Sequence, residues 1–276
     1  MPRTSSYELV LDSGLFAPTQ IETVAVARLG FQFGTRWLRD HVCSHQSMIA
    51  DHQVGFVLWA LHLRYENRLR FIDAERADVD VHVRVRGPRS SQLEMMMTIA
   101  GPHGVAVRSE ATAIPLRLSG DEALSGAPAH MPEWLIERFH DDEREPSPFR
   151  SQVPALGARL KRDAVRVASE ITTFRVHRHH CDAADQWYWP ESLGFTGAAR
   201  EEFIIQHGRK LPQLRRALIE GLRQVDAIWL RASYLWDVML IHTTCYRQGD
   251  ETAFVHELRQ AGDDRGGPYA VVVERA

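Results

Sequence analysis

The chain has 276 residues, 44% of them apolar and 25% charged, with 18 Gly and 13 Pro. That composition excludes a collagen, a coiled coil and a largely disordered chain. Lys plus Arg total 33 and Asp plus Glu 36, a formal charge of -3, so nothing in the balance advertises nucleic acid or an anionic membrane as a partner. The length is about twice that of a typical domain, which suggests one large or two small ones. The 14 His make the charge sensitive to pH without by their number implying a metal. Cys43, Cys181 and Cys245 lie far apart with no Cys-x-x-Cys grid, which fits a reduced intracellular protein. The opening MPRTSSYELVLDSG lacks the apolar core of a signal peptide. The longest apolar stretches, Gly55–Leu61 and Tyr269–Val273, fall short of the roughly 20 residues of a membrane span. A soluble, cytoplasmic protein is expected.

The first half reads as a strand, a helix and then several strands. Tyr7–Asp12 is a short alternating run. Pro18 can open a helix, and Ile21, Val24, Ala25, Leu29 and Phe33 follow at three-to-four spacing, with room to continue through Trp37 and Leu38. The stretch Val42–Val54, rich in His, Ser and Gln, reads as a loop. Gly55–Glu66 is an apolar and aromatic strand candidate. Ala77–Arg86 alternates strictly, with Val79, Val81, Val83 and Val85 on one face and Asp80, His82 and Arg84 on the other, the pattern of a half-buried strand. Leu93–Ala100 and Val105–Leu116 form a hairpin around Gly101-Pro-His-Gly104.

Residues from about 119 to 165 break the pattern with Ser, Gly and Pro clusters and the run HDDEREP at His140–Pro146. One short helix, Pro132–Phe139, is expected inside. The second half then repeats the order. Ala168–His177 is strand-like, and a helix carries Phe195, Ala198, Ala199 and Phe203 before Gly208. A basic helical stretch, Pro212–Arg223, follows. Strands are expected at Ala227–Tyr234, Val238–Tyr246 and Ala253–Gln260, a turn at Asp263–Gly267, and a last strand at Tyr269–Glu274.

Two copies of one plan therefore stand in the chain: a strand, a long helix, then an antiparallel meander. A sheet with one apolar face needs a cover, and a long helix inserted after the first strand can supply it, the sheet curling around the helix as in the hotdog fold. Such a unit leaves an open edge, so units normally pair, and two in one chain can pair with each other as a pseudo-dimer. The expected architecture is α+β, a tandem (double) hotdog. It has an N-terminal unit at 1–120, a linker with a short helix at 121–165 and a C-terminal unit at 166–276. A further homodimer is allowed but not required.

The segment from Phe174-Arg-Val-His-Arg-His-His-Cys-Asp182 through Trp187-Tyr-Trp-Pro190, and on to Gly208, resembles the active-site segment of the 4-hydroxybenzoyl-CoA thioesterase family. That family shows a strand, a Cys-or-Thr-Asp-x-Ala-Gly turn, aromatics, Pro and a helix ending near Gly. Cys181, Asp182, Ala184, Trp187, Tyr188, Pro190, Ala198, Ala199, Phe203, Ile204 and Gly208 fall in register with it. The whole chain is similar to a tandem version, as in plant-type acyl-ACP thioesterases, with Gly55-Phe-Val-Leu-Trp-Ala-Leu-His-Leu-Arg-Tyr65 and Val105–Leu118 as further matching strands. Two departures stand out: the family's Gly after the triplet is Asp185, and the plant-type Asn and His are replaced by Ala184 and Gln186.

The resemblance implies thioester hydrolysis, on acyl-CoA or acyl carrier protein thioesters, with Asp182 as general base or nucleophile and no cofactor. Backbone N–H groups must face the carbonyl oxygen, and position in the fold suggests Gly55, so that Asp182 of the second unit would face Gly55 of the first. The equivalent place in the second half, Val225-Asp226, has no Gly. The plainer alternative for Asp182 is a turn or capping carboxylate. Asp185 is either a second carboxylate acting on Asp182 or a surface turn residue. Trp187, Tyr188 and Trp189 line an acyl or aryl pocket or pack between units. His45 and His52 bind substrate from their loop or are solvated there. The HRHHC run, His177–Cys181, lacks the spacing of a metal site, so no metal is expected. Cys181 and Cys43 have no partner base visible in the sequence. The basic stretch Lys210–Arg223 meets the phosphates of CoA or an acidic carrier, or is a solvated helix face. Two other functions compete. One is a hotdog dehydratase or acyl-transfer enzyme, for which no His-x-x-x-Gly-x-x-x-x-Pro pattern is present. The other is a non-catalytic acyl-thioester binder.

Overall fold

A computed structural model describes residues 4–87, 91–118, 126–139, 142–143, 148–182, 185–263 and 266–276. Ala184, residues 119–125, 140–141 and 144–147 of the expected connector, and positions 264 and 265 of the expected last turn lie outside them. The chain divides into two compact units, Met1–Pro148 and Phe149–Ala276.

The first unit opens with β1 (Thr4–Val10), followed by the helix α1 (Thr23–His41), a short α2 (His45–His52), and β2 (Val54–Tyr65), β3 (Arg76–Arg86), β4 (Gln92–Gly101) and β5 (Gly104–Leu118). Its sheet order is β1-β3-β4-β5-β2, antiparallel throughout. Val79, Val81, Val83 and Val85 are almost wholly buried, and the register sets Met97 beside Val81 and Met95 beside Val83 on the same face. α1 lies on that face through Val26, Leu29, Phe33 and Trp37, at helical spacing and all buried, each worth about 1.5–3 kcal/mol. A Cβ at Gly34 would run into the Met95 sulfur, so glycine here allows the close approach of helix and sheet.

The expected connector contributes β6 (Gly126–Pro128) beside β5, α3 (Glu133–Ile136), and β7 (Asp142–Glu143), parallel to β3. Its last part is not linker. Residues 149–163 form α4 (Phe149–Asp163), which belongs to the second unit. There follow β8 (Val165–Arg175), α5 (Trp189–His207), α6 (Arg216–Glu220), β9 (Gln224–Trp229), β10 (Val238–Gln248), β11 (Glu251–Gln260) and β12 (Ala270–Arg275). The sheet order β8-β10-β11-β12-β9 repeats that of the first unit, strand for strand. α5 covers one face: Phe203 packs against Phe254 of β11, and Leu193, Thr196 and Ala199 are buried with it. α4 covers the other face, where Val153, Leu156 and Leu160 are buried and Lys161 reaches Glu257. Each unit is thus a sheet wrapped on a 19-residue helix, a tandem hotdog as expected.

Several local expectations fail. Val42–Val54 is not a loop: Ser44 accepts from the Ser47 N–H as an N-cap, and Gln53 closes α2 in the left-handed region at φ 54°. Ala227–Tyr234 overruns its strand, which stops at Trp229. The basic stretch 212–223 is a 3-10 turn followed by the five-residue α6. Ala198 is exposed, and the buried stripe of α5 runs through Leu193, Thr196, Ala199 and Phe203 instead.

Candidate active site

Asp182 lies in the turn that joins β8 to α5. A 3-10 turn, Arg178–His180, brings the chain off β8, and an isolated bridge between Cys181 and Trp187 closes the loop at its base. Inside the loop the Asp182 N–H donates to the Gln186 carbonyl at 2.9 Å, and the Asp185 N–H to the Asp182 carbonyl at 3.2 Å. The carboxylate is half-buried, and its Oδ1 accepts from the Gln186 N–H at 3.2 Å. The family resemblance expects Gly where Asp185 stands. Asp185 nonetheless takes the glycine-like conformation, φ 53°, which Asp tolerates better than most residues. Its side chain points outward to an ion pair with Arg178 at 2.9 Å.

Trp187 is 3% exposed and sits in an aromatic cluster of the second unit. It stacks on Tyr269 with ring centroids 4.9 Å apart, and meets Phe174 and Phe195, which stack on each other. Its indole N–H has no acceptor among the described residues. Burial first, and then the charge of Asp182, push the Tyr269 phenol well above its ordinary range, so it stays protonated at neutral pH. Trp189 packs edge-on against Trp229, and Tyr188, half-buried, holds the start of α5 through its N–H to the His180 carbonyl. Trp187, Tyr188 and Trp189 are therefore not one surface: the first belongs to the cluster beside Asp182, the third to another.

The remaining expected site residues belong to the first unit. Gly55 is buried in β2 opposite Leu116. The Leu118 N–H donates to the Gln53 carbonyl, and the antiparallel alternation then makes Gly55 and Leu116 a hydrogen-bonded pair. Its N–H is committed to its own sheet. His45 and His52 stand at the two ends of α2. His45 meets Phe31, and burial lowers its pKa; the His52 ring lies tilted against Trp134, centroids 4.0 Å apart. The Cys181 thiol is raised by burial and then by the charges of Asp185 and Asp182, which disfavours a thiolate nucleophile. No group of three or more His, Cys, Asp or Glu among the described residues is placed to hold a metal ion.

Sequence reasoning missed a buried polar chain under α5. Arg200 pairs with Glu274 at 2.5 Å, His256 Nε2 lies 3.3 Å from the same carboxylate, and His256 Nδ1 is 2.9 Å from the Thr243 hydroxyl. Strand alternation could have set each of Thr243, His256 and Glu274 on one face of its strand, but not the register that brings them together under the helix. Burial would raise the Glu274 carboxyl, but the Arg200 charge and the His256 contacts outweigh it and hold it near about 2. Arg200 Nε has no acceptor among the described residues, but the other links fasten α5 to three strands.

No family model and no curated protein matches the sequence. Solved structures do match the fold. A Lactobacillus plantarum protein described as an oleoyl thioesterase is 9% identical over 99% of this chain and 95% of its own, with a TM-score of 0.71. An acyl-ACP thioesterase from Bacteroides thetaiotaomicron is 11% identical over 98% and 96%, with a TM-score of 0.64. The 12:0-ACP thioesterase from Umbellularia californica is 9% identical over 98% and 96%, with a TM-score of 0.61. No helix is long and apolar enough to cross a membrane. In fold, over almost its whole length, the chain is a tandem hotdog protein like these thioesterases.

Proposed function

We propose that the chain hydrolyses an acyl thioester, carried by coenzyme A or by an acyl carrier protein, with Asp182 as the catalytic carboxylate. The observation that carries the reading is the Asp182 turn itself: a half-buried carboxylate at the entry to α5, beside an aromatic cluster. In the reaction Asp182 takes a proton from water as the oxygen attacks the thioester carbon. The tetrahedral oxyanion collapses, the C–S bond breaks, and the departing sulfur leaves as thiolate, a good leaving group that needs no strong acid. The proton then passes from Asp182 to the sulfur or to solvent. The carbonyl oxygen needs donors as its charge grows. The Gly55 N–H is engaged in its sheet, whereas the buried Trp187 indole N–H would be satisfied by such an oxygen.

The other reading, a non-catalytic acyl-thioester binder, draws support from one bond. The Gln186 N–H held by Asp182 is what a turn-stabilising carboxylate would make. Asp182→Asn separates the two. A catalytic carboxylate predicts thiol release from acyl-CoA or acyl-carrier thioesters reduced by at least about 100-fold with the melting temperature nearly unchanged. A cap predicts retained rate with about 1 kcal/mol less stability. Wild-type-like hydrolysis by the Asn variant removes Asp182 from the mechanism.

A further inference from the structure

The connection between β9 and β10 runs along the Asp182 turn and leaves three large apolar side chains in solvent. Leu230, Tyr234 and Trp236 are 43%, 51% and 58% exposed. The backbone beneath them is firmly held. The Asp237 carboxylate accepts from the Ser233 hydroxyl and the Tyr234 N–H through one oxygen, and from the Gln260 amide through the other. The Trp236 N–H donates to Val176, the Leu235 N–H to Asp185 and the Trp187 N–H to Ser233. Trp236 is held at φ 73°, a left-handed conformation that bulky residues rarely adopt. Strain of this kind persists only where surrounding bonds over-determine it, and it gathers at ligand sites.

Basic groups border the Trp236 end of this loop. The Trp236 ring meets His177 edge-on at 6.0 Å, and the His177 and His179 rings lie parallel at 5.9 Å. Arg175 donates to the Trp236 carbonyl at 3.2 Å. Arg178, 71% exposed, shares its charge with Asp185. Aromatic planes accept a base by stacking, and guanidinium groups and imidazole N–H groups donate to phosphate, so the surface suits a ligand that is aromatic at one point and anionic at the next.

We propose that Tyr234 and Trp236, bordered by Arg175, His177 and His179, bind the adenosine 3′-phosphate end of coenzyme A. The choice of carrier rests on the thioesterase reading; the nucleotide chemistry rests on the rings and the hydrogen-bond donors of Arg175, His177 and His179 beside them. The pantetheine arm lets the nucleotide sit on the outer loop while the thioester reaches the turn. A carrier protein presents the same arm without a base to stack, which is why the rings favour the coenzyme. The rings on this rigid loop are then a specificity device for one of the two carriers.

The test uses the full chain and adenosine 3′,5′-bisphosphate, followed by calorimetry. Trp236→Gly removes the ring at a position whose positive φ glycine adopts without strain, so the loop keeps its course. Bisphosphate affinity should fall by about tenfold or more in the variant, the scale of losing one base–aromatic stack. The wild type should prefer acyl-CoA to acyl-pantetheine in kcat/KM, and the variant should lose that preference through KM. Equal bisphosphate affinity in the two proteins, or no binding by the wild type, overturns the proposal. So does a wild-type dimer that Trp236→Gly splits in sedimentation without change in nucleotide affinity, which would make the rings a self-association surface. Binding is read without turnover, so the two readings fail separately. Nucleotide binding lost in the variant with no thioester cleaved leaves this site and removes the hydrolase. Cleavage without bisphosphate binding does the reverse.

Discussion

The turn at residues 16–21 in the first unit and the turn at 181–187 in the second are built on one backbone plan. Each follows a three-residue 3-10 turn, is closed by an isolated bridge (Phe16 to Ile21, Cys181 to Trp187), and opens into a 19-residue helix. The Ala17 N–H donates to Gln20 as the Asp182 N–H donates to Gln186, and the Glu22 N–H to Leu15 as the Tyr188 N–H to His180. Ala17 therefore stands where Asp182 stands. The second loop is one residue longer, and the left-handed Asp185 absorbs the extra length. The comparison teaches that the turn is a property of the fold, whereas the carboxylate is particular to one copy of it.

The sharpest way to break that asymmetry is the pair Asp182→Asn and Ala17→Asp. The first should cost at least about 100-fold in thiol release, and the second should add nothing to the rate of the wild type. A gain from Ala17→Asp would mean that the first turn is equally equipped and that the asymmetry is only one of residue type. The next contrast lies on the two faces that receive the central helices. Glu274→Ala leaves Arg200 buried without its partner and should cost about 3–5 kcal/mol in chemical denaturation. Met97→Leu, on the matching face of the first unit, conserves volume and should cost less than about 1.5 kcal/mol.

Acid should act on the two units with opposite sign. Glu274 is held near about 2, below its ordinary 4.5, so its stabilising contribution is complete above about pH 4.5 and is lost as pH falls toward about 2. Glu110 on β5 is raised by burial, partly offset by His62 and reinforced by Glu94. Its ionisation therefore opposes folding, and that penalty is relieved as pH falls through the raised value toward 4.5. Denaturation across a pH series should show Glu274→Gln flattening the acid loss and Glu110→Gln stabilising near neutrality. A smaller effect tests the longer loop. Asp185→Ala should lose about 1 kcal/mol for a left-handed non-glycine residue, whereas Asp185→Gly should keep more of the wild-type stability despite losing the Arg178 pair. The smallest is at Cys181, whose thiolate is disfavoured by burial and by Asp185 and Asp182: Cys181→Ser should leave the rate unchanged.

How much of this was legible in the sequence follows from the range of the interactions. Strict alternation at Val79–Val85 encodes a strand and its buried face in eleven neighbouring residues of β3, so it could be read directly. The repeat of strand, helix and meander was legible for the same reason. α2 was not, because its eight residues bury only Met48 and its cap is a single Ser44. α4 was hidden by Pro154 inside it and by a stripe whose main partner strands, β9 and β12, come more than sixty residues later. The Asp182 turn was found through a family likeness, but the conformation that lets Asp185 replace Gly is a backbone angle that residue type only permits. The Thr243–His256–Glu274 chain joins three strands whose register no local pattern states. Trp236 lay just beyond a strand read too long, and its exposure depends on a loop tied by Asp237.

α4 also sets an order of events during synthesis. Its apolar stripe of Val153, Leu156 and Leu160 leaves the ribosome just before β8 but well before β9, β10 and β12, the other strands it packs on. At about 5–20 residues per second, the stripe waits on the order of ten seconds for the sheet to be completed. During that interval the helix has only β8 of its partner strands to dock on, and the nascent chain offers chaperones an apolar segment between the two units in sequence. The two copies of one fold thus differ in how they are made: the first unit's sheet closes over a helix already translated, while the second keeps an extra helix waiting for its last strand.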